Sequence, residues 1–460
     1  MSRIMSPKLK SFNYAIGMFG TSIPINMFKT FAAIFYVVGL GLRTSQLASI
    51  LFIYTFIDAA DNLIYGYLSD RTRTRWGRRR PWLVIGTPLL ILGFISFYSP
   101  PALTGNGLFA YCLLIYIFTG TMDSLINANY GALFPELFRT DASRATTNAM
   151  RQAFQLVAMI ISIALTPMVT KALGYSLTSI VYGILGGTVI LYMTFTSKEV
   201  SAEEVKEKPK LWDSIKSVII NKKFWIAGFA NAFYSAAMSL VLVGLPFFAK
   251  YTLKIGSTQE TILFAAVLLI AIGCVAVWAF LVRKFGLMRV WRAALISLAI
   301  AFIPLSFANS FATAIIGGIC VGFGFAGVIT TMDLIGAKIM DEDTQKHNVR
   351  REGIISNALG FMNRLNGLFT SFAFLMVFKI FGFESGTNPG TRPDEASRFL
   401  LTYFPMILMV ISFAFSFFIN FTDHEKSPES VMPEGESQSL LPEISQTNDE
   451  KPVDQLQKED

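Results

Sequence analysis

The chain has 460 residues, of which 53% are hydrophobic and only 15% charged, with a mean hydropathy of +0.51 and a net charge of +8. Soluble proteins carry about 25% charged residues, whereas this chain is built of apolar runs of 18 to 28 residues, long enough to cross ~30 Å of hydrocarbon at ~1.5 Å per residue. A string of soluble domains is excluded, and so is a nucleic-acid binder, because the bases sit in short loops between apolar runs, where membrane orientation accounts for them.

Twelve membrane spans are predicted, at 12–38, 47–69, 82–99, 107–134, 149–173, 175–196, 224–250, 261–283, 288–308, 311–339, 354–382 and 398–421. The fold class is therefore all-α and polytopic. Arg and Lys concentrate in alternate loops, at 1–11, 70–81, 136–151, 197–223, 283–292 and 338–352, while the last of the other loops, 383–397, has Arg392 as its single base. Loops rich in Arg and Lys stay on the cytoplasmic side, which places both termini in the cytoplasm; the plasma membrane is the expected location. The charged segment 197–223 divides the chain into an N-terminal six-helix half, 1–196, and a C-terminal half, 224–421. The tail 422–460 reads as disordered: from Asp423 onward it has 11 acids and 3 bases, a charge of −8 that leaves +16 on the remainder. Within it, Glu436 to Leu441 is similar to an acidic dileucine sorting signal.

The polar residues within the spans follow helical spacing. Span 1 holds Ser22, Asn26 and Lys29 around Pro24. In span 2, Tyr54, Asp58, Asp61, Asn62, Tyr65 and Ser69 form one stripe at 100° per residue. Asp58 lies about eleven residues from either end, hence ~17 Å deep. Beyond this span comes Asp70-Arg71-x-Arg73, then Gly77 and Arg78 to Arg80. Span 4 carries Tyr116, Thr119, Asp123, Asn127 and Tyr130, Arg151 stands near the start of span 5, and span 11 has Asn357, Asn363 and Arg364. The hairpin Arg75-Trp76-Gly77…Arg80…Trp82 recurs 209 residues later as Lys284-Phe285-Gly286…Arg289…Trp291. Two parallel six-helix halves with a mid-chain linker fit the major facilitator architecture, whose site lies between the halves near mid-membrane.

Charged groups inside hydrocarbon need a reason. Asp58, Asp61 and Asp123, with Asn62, suit a hard monovalent cation, which takes several oxygen ligands. They equally suit a proton carrier, since burial favours the neutral form of a carboxyl. Lys29 and Arg364 read either as counter-ions to these acids or as holders of an anionic solute. Asp70, Arg71, Gly77, Arg80, Gly286 and Arg289 are expected to form a cytoplasmic gate that latches in one conformation, the other arginines serving orientation. Cys112, Cys274 and Cys320 fall inside apolar runs, an odd number that argues against a disulfide framework. His347 and His424 are peripheral, and no zinc spacing, nucleophile elbow or phosphate loop occurs. No enzyme and no metal cofactor is expected, beyond a Na+ at Asp58.

The stretch DAADNLIYGYLSDRTRTRWGRRRPW (58–82) resembles the helix 2 signature of the glycoside–pentoside–hexuronide:cation symporters, the melibiose-permease group of the major facilitators. NANYGALFPELF (127–138), Arg144 with NAMRQAF (148–154), and DLIGAKIMDED with VRREG (333–353) agree with it, and the likeness covers nearly all of 12–421. The resemblance implies symport of a sugar-like solute with Na+ or H+, by a monomer. By position, Asp58 matches the family's first helix 2 acid. The second acid is replaced by Asn62, the carboxylate having moved to Asp61. Arg151 resembles the arginine of the sugar pocket, and Arg364 stands where a lysine is usual. Ser22 and Asn127 replace acids that grip galactoside hydroxyls, which argues against a galactoside, since a buried site loses much when an acceptor is weakened. Asn26, Lys29 and Tyr130 complete the expected solute pocket. The alternatives are a lysophospholipid or other non-sugar symporter of the same family, and a receptor or scaffold with a transporter fold.

Overall fold

The computed structural model describes residues 7–138, 141–197, 222–347 and 359–419. The segment 198–221 of the linker, Asn357 and the tail 422–460 lie outside the described residues, as do the side chains of Asn62 and Asp70. Among the described residues there is no strand, and helices run in the order α1 Lys8–Gly39, α2 Thr44–Arg71, α3 Arg80–Tyr98, α4 Gly105–Leu137, α5 Asp141–Met159 with its π-helical extension Ile160–Ala164, α6 Thr166–Thr196, α7 Lys222–Leu253, α8 Ser257–Phe285, α9 Leu287–Ser306, α10 Phe311–His347, α11 Leu359–Phe381 and α12 Pro393–Ser416.

Among the described residues, ten of these are long and apolar enough to cross a membrane; α2 and α5 have the more polar composition. These two helices spend their positions on Asp58, Asp61 and Asn62, and on Asp141, Arg144 and Arg151. The predicted boundary between the fifth and sixth spans falls at Gly174 (φ 77°, ψ 165°), where the chain turns without unwinding α6 on either side. Gly pays no Cβ penalty at that φ.

The helices pair in a repeating scheme. In residues up to 197, α3 packs on α4, α2 on α4, α1 on α6 and α3 on α6; beyond 222 the same pairings recur with each helix number raised by six. The repeat inferred from the two hairpins is thus present in the packing. Between the sets, α2 lies against α11, and the end of α5 against α8. Large side chains such as Leu114, Ile85, Phe280 and Phe307 remain exposed, as expected of a surface that meets lipid rather than water.

Candidate functional site

α2, α4 and α11 bring the intramembrane charges together. Arg364 on α11 reaches across to α2. Its Nη1 donates to the Asp58 main-chain carbonyl (2.8 Å) and to Ser124 Oγ (3.3 Å), and is in direct contact with Asp58 Oδ1. The same carboxylate oxygen accepts from Ser124 Oγ (2.9 Å) and Tyr54 OH (3.3 Å). Next to Ser124 on α4, Asp123 Oδ1 accepts from Asn127 Nδ2 one turn on (2.6 Å), and Lys29 Nζ stands 3.9 Å from Oδ2. Here Asp123 is nearly buried while the Lys29 side chain is 57% exposed. Asp61, 6% exposed, accepts from Thr121 Oγ1 (2.9 Å) and forms no ion pair among the described residues.

Lys29 and Arg364 are therefore counter-ions in this conformation. Three carboxylates face two bases, and the third, Asp61, is left with a hydroxyl. Such a group can accept one more positive charge at low cost, because a buried carboxylate without a cation is expensive.

The predicted solute residues divide into two sets. Ser22 and Asn26 lie on α1 near Lys29; Ser22 is buried, and Asn26 Nδ2 is a buried donor with no acceptor among the described residues. Asn363 Oδ1, beside Arg364, is similarly unpaired. Tyr130 is buried in a stack with Tyr14 (ring centroids 4.7 Å apart), the two exchanging hydroxyl-to-carbonyl hydrogen bonds. Arg151 lies over the rings of Tyr130 and Phe134 at 5.1 Å, and its Nε has no acceptor among the described residues. Tyr130, two turns from Asp123 along α4, thus supports Arg151 of α5 from behind.

Of the predicted gate residues, Gly77, Gly286 and Arg80 serve the ends of helices within each half. Gly77 (φ 109°) closes a tight turn with Thr74, and Gly286 (φ 84°) turns the chain between α8 and α9, so the repeated glycines share a conformation. Arg80 Nε and Nη2 donate to the carbonyls of Thr194 and Phe195, capping α6. The equivalent on α9 is Arg292, which donates to Ser416 and Ile419 carbonyls at the end of α12. Sequence offset pointed to Arg289, which is exposed; α9 begins its capping arginine one turn later. Arg71 is also exposed.

The sequence reading missed Ser124, Thr121 and Glu136. Ser124 and Thr121 look like ordinary hydroxyls until α2 is laid against α4. Glu136 accepts from Arg78 Nη2 (2.8 Å) and Arg79 Nε (3.0 Å), and Arg79 Nη1 also reaches Ser69 Oγ (3.2 Å). A lone acid at the end of a span, opposite an arginine-rich hairpin, was the available signal. In the second half Lys223 pairs with Glu342 at 2.8 Å.

The family described as MFS/sugar transport protein matches residues 13–423. The isoprimeverose transporter of Lactiplantibacillus pentosus is 24% identical over 374 residues, 78% of this chain and 77% of that protein. An uncharacterized symporter of Synechocystis sp. is 29% identical over 262 residues, 56% of this chain and 46% of its own length. Among solved structures, a bacterial homolog to the human lysosomal transporter Spinster, inward-facing and unoccupied, superposes with a TM-score of 0.68 at 12% identity, covering 91% of this chain and 97% of that one.

Proposed function

The chain belongs to the MFS/sugar transport protein family, and from that premise we propose that it carries a sugar-like solute together with a cation by alternating access. It is a multi-pass membrane transporter and not an enzyme. The observation that carries the coupling is the excess of acid over base where α2, α4 and α11 meet: Asp58, Asp61 and Asp123 against Lys29 and Arg364. The cation, Na+ or H+, is assigned to Asp58, Asp61, Asn62 and Asp123. The solute is assigned to Ser22, Asn26, Lys29, Asn127, Arg151 and Arg364, with Tyr130 as support. Unpaired Asn26 and Arg151 nitrogens are donors suited to hydroxyl or ring oxygens. Binding of either partner strengthens binding of the other, as linkage requires.

The halves rock about this site. The end bearing Val37, Thr44 and Glu384 is sealed: Gly386 N donates to Val37 O (2.8 Å), and Thr44 N and Oγ1 donate to Glu384 O (2.7 and 2.9 Å). With the basic loops cytoplasmic and the protein in the plasma membrane, this is a conformation closed to the outside. Uptake of labelled isoprimeverose and a glycoside panel into proteoliposomes, under Na+ and pH gradients imposed separately, tests the reading. It fails if no gradient drives accumulation of any member.

A second reading is a lysophospholipid or other non-sugar solute, for which the apolar lining between the halves is the relevant feature. A cavity of about 40 Å³ between the halves is lined wholly by apolar side chains, including Met159, Met238, Val241, Phe264 and Phe325. Competition by lysophosphatidylcholine in the same assay separates the two.

A further inference from the structure

The contact that joins Arg364 to α2 has the composition of an ion site. One nitrogen, Nη1, is surrounded by a carboxylate oxygen (Asp58 Oδ1), a main-chain carbonyl (Asp58 O, 2.8 Å) and a hydroxyl (Ser124 Oγ, 3.3 Å). Carboxylate, carbonyl and hydroxyl oxygens are the donor set that hard cations take. The occupant here is a guanidinium that cannot lose its charge. Asp58 and Ser124 belong to α2 and α4, Arg364 to α11. The contact therefore crosses the seam between the halves, and lies nearer the middle of α2 than Ser371 Oγ to Ala48 O (2.6 Å) along the same α2–α11 boundary.

Resting on the cation-coupled reading above, we propose that Arg364 is a tethered competitor of the coupling ion, occupying its seat at Asp58 and Ser124 whenever the α2–α11 seam is shut. Opening the seam withdraws Arg364 and leaves Asp58 as an unpaired intramembrane carboxylate. That charge is neutralised by Na+ in the vacated oxygens or by a proton on the carboxyl. Closing the seam returns the guanidinium, which expels the ion on the side where it is to be released. The apparent cation affinity in the closed state falls by the fraction of time the seat is free. In the closed state the empty carrier therefore has the Asp58 charge balanced by Arg364 without an ion. With the seam shut, Asp61 and Asp123 are held by Thr121 and Lys29.

The test locks the seam and titrates the ion, with no solute needed. Ala48→Cys and Ser371→Cys are introduced together after replacing Cys112, Cys274 and Cys320, and the pair is oxidised. Thermal unfolding of the purified protein is followed against NaCl, with choline chloride holding ionic strength, and separately against pH. The unlocked protein gains stability with Na+, or with acid, whereas the locked protein does not respond. Arg364→Gln restores the response in the locked protein and lowers the half-saturating Na+ concentration, or shifts the pH midpoint up, by tenfold or one pH unit at least. Arg364→Lys, which keeps the charge but not the planar fork, falls between. A locked protein with Arg364 intact that responds like the unlocked one overturns the proposal, as does a locked Arg364→Gln protein that stays silent while its unlocked form responds. Silence of every form to both ions instead refutes the cation-coupled reading itself.

Discussion

Gly386→Ala tests whether the sealed end is held by close backbone approach. The new Cβ would fall within clash distance of Val38 O, a main-chain atom that cannot rotate away. The loop carrying Gly386 must retreat, and with it go three hydrogen bonds that join the halves at this end: Gly386 N to Val37 O, and the two from Thr44 to Glu384 O. At ~1 kcal/mol net for each, the sealed state loses about 3 kcal/mol relative to the state with the seam apart. A factor of ten accompanies each ~1.4 kcal/mol, so the equilibrium moves toward the open seam by about two orders of magnitude. The assay is the rate at which a thiol at position 371 reacts with a maleimide. Ser371 is nearly buried against Ala48, so Ser371→Cys reacts slowly on the unaltered background and at least tenfold faster with Gly386→Ala. An unchanged labelling rate in a folded, monodisperse protein would show that the backbone approach at Gly386 does not hold the seam.

Three other outcomes are expected. Asp58→Asn abolishes cation-driven solute accumulation while the protein still inserts into the membrane; undiminished uphill uptake by this variant removes Asp58 from coupling. Glu136→Gln leaves Arg79, which is 8% exposed, with a neutral acceptor in place of a carboxylate, costing about 2 kcal/mol and lowering the unfolding temperature by several degrees, whereas the exposed Arg289→Gln leaves it unchanged. Arg80→Gln and Arg292→Gln each uncap the end of a helix and lower thermal stability to a similar degree, since each arginine donates to two terminal carbonyls; a large effect from one alone would break the equivalence of the halves.

The repeat, the helices and the buried acids were legible because each is written locally. Unbroken apolar runs must become helices in hydrocarbon, where every backbone group has to be satisfied within the segment. A charge at mid-span declares itself wherever the helix goes. Gly77 and Gly286 betray the two hairpins for the same reason, as each needs a positive φ that few other residues tolerate.

Partnership is another matter. Lys29 and Arg364 offered two roles on sequence alone, and only the approach of α11 to α2 and of α1 to α4 set them on Asp58 and Asp123. Ser124 became part of the site through Arg364, 240 residues away in the chain. Arg292, not the Arg289 that matches Arg80 by offset, caps the neighbouring helix in the second half, because the reach of an arginine to a helix end depends on where α9 and α12 cross. Periodicity records which face a residue shares with its own helix. It holds nothing about the helix that comes to lie against that face, and a buried charge takes its character from that neighbour.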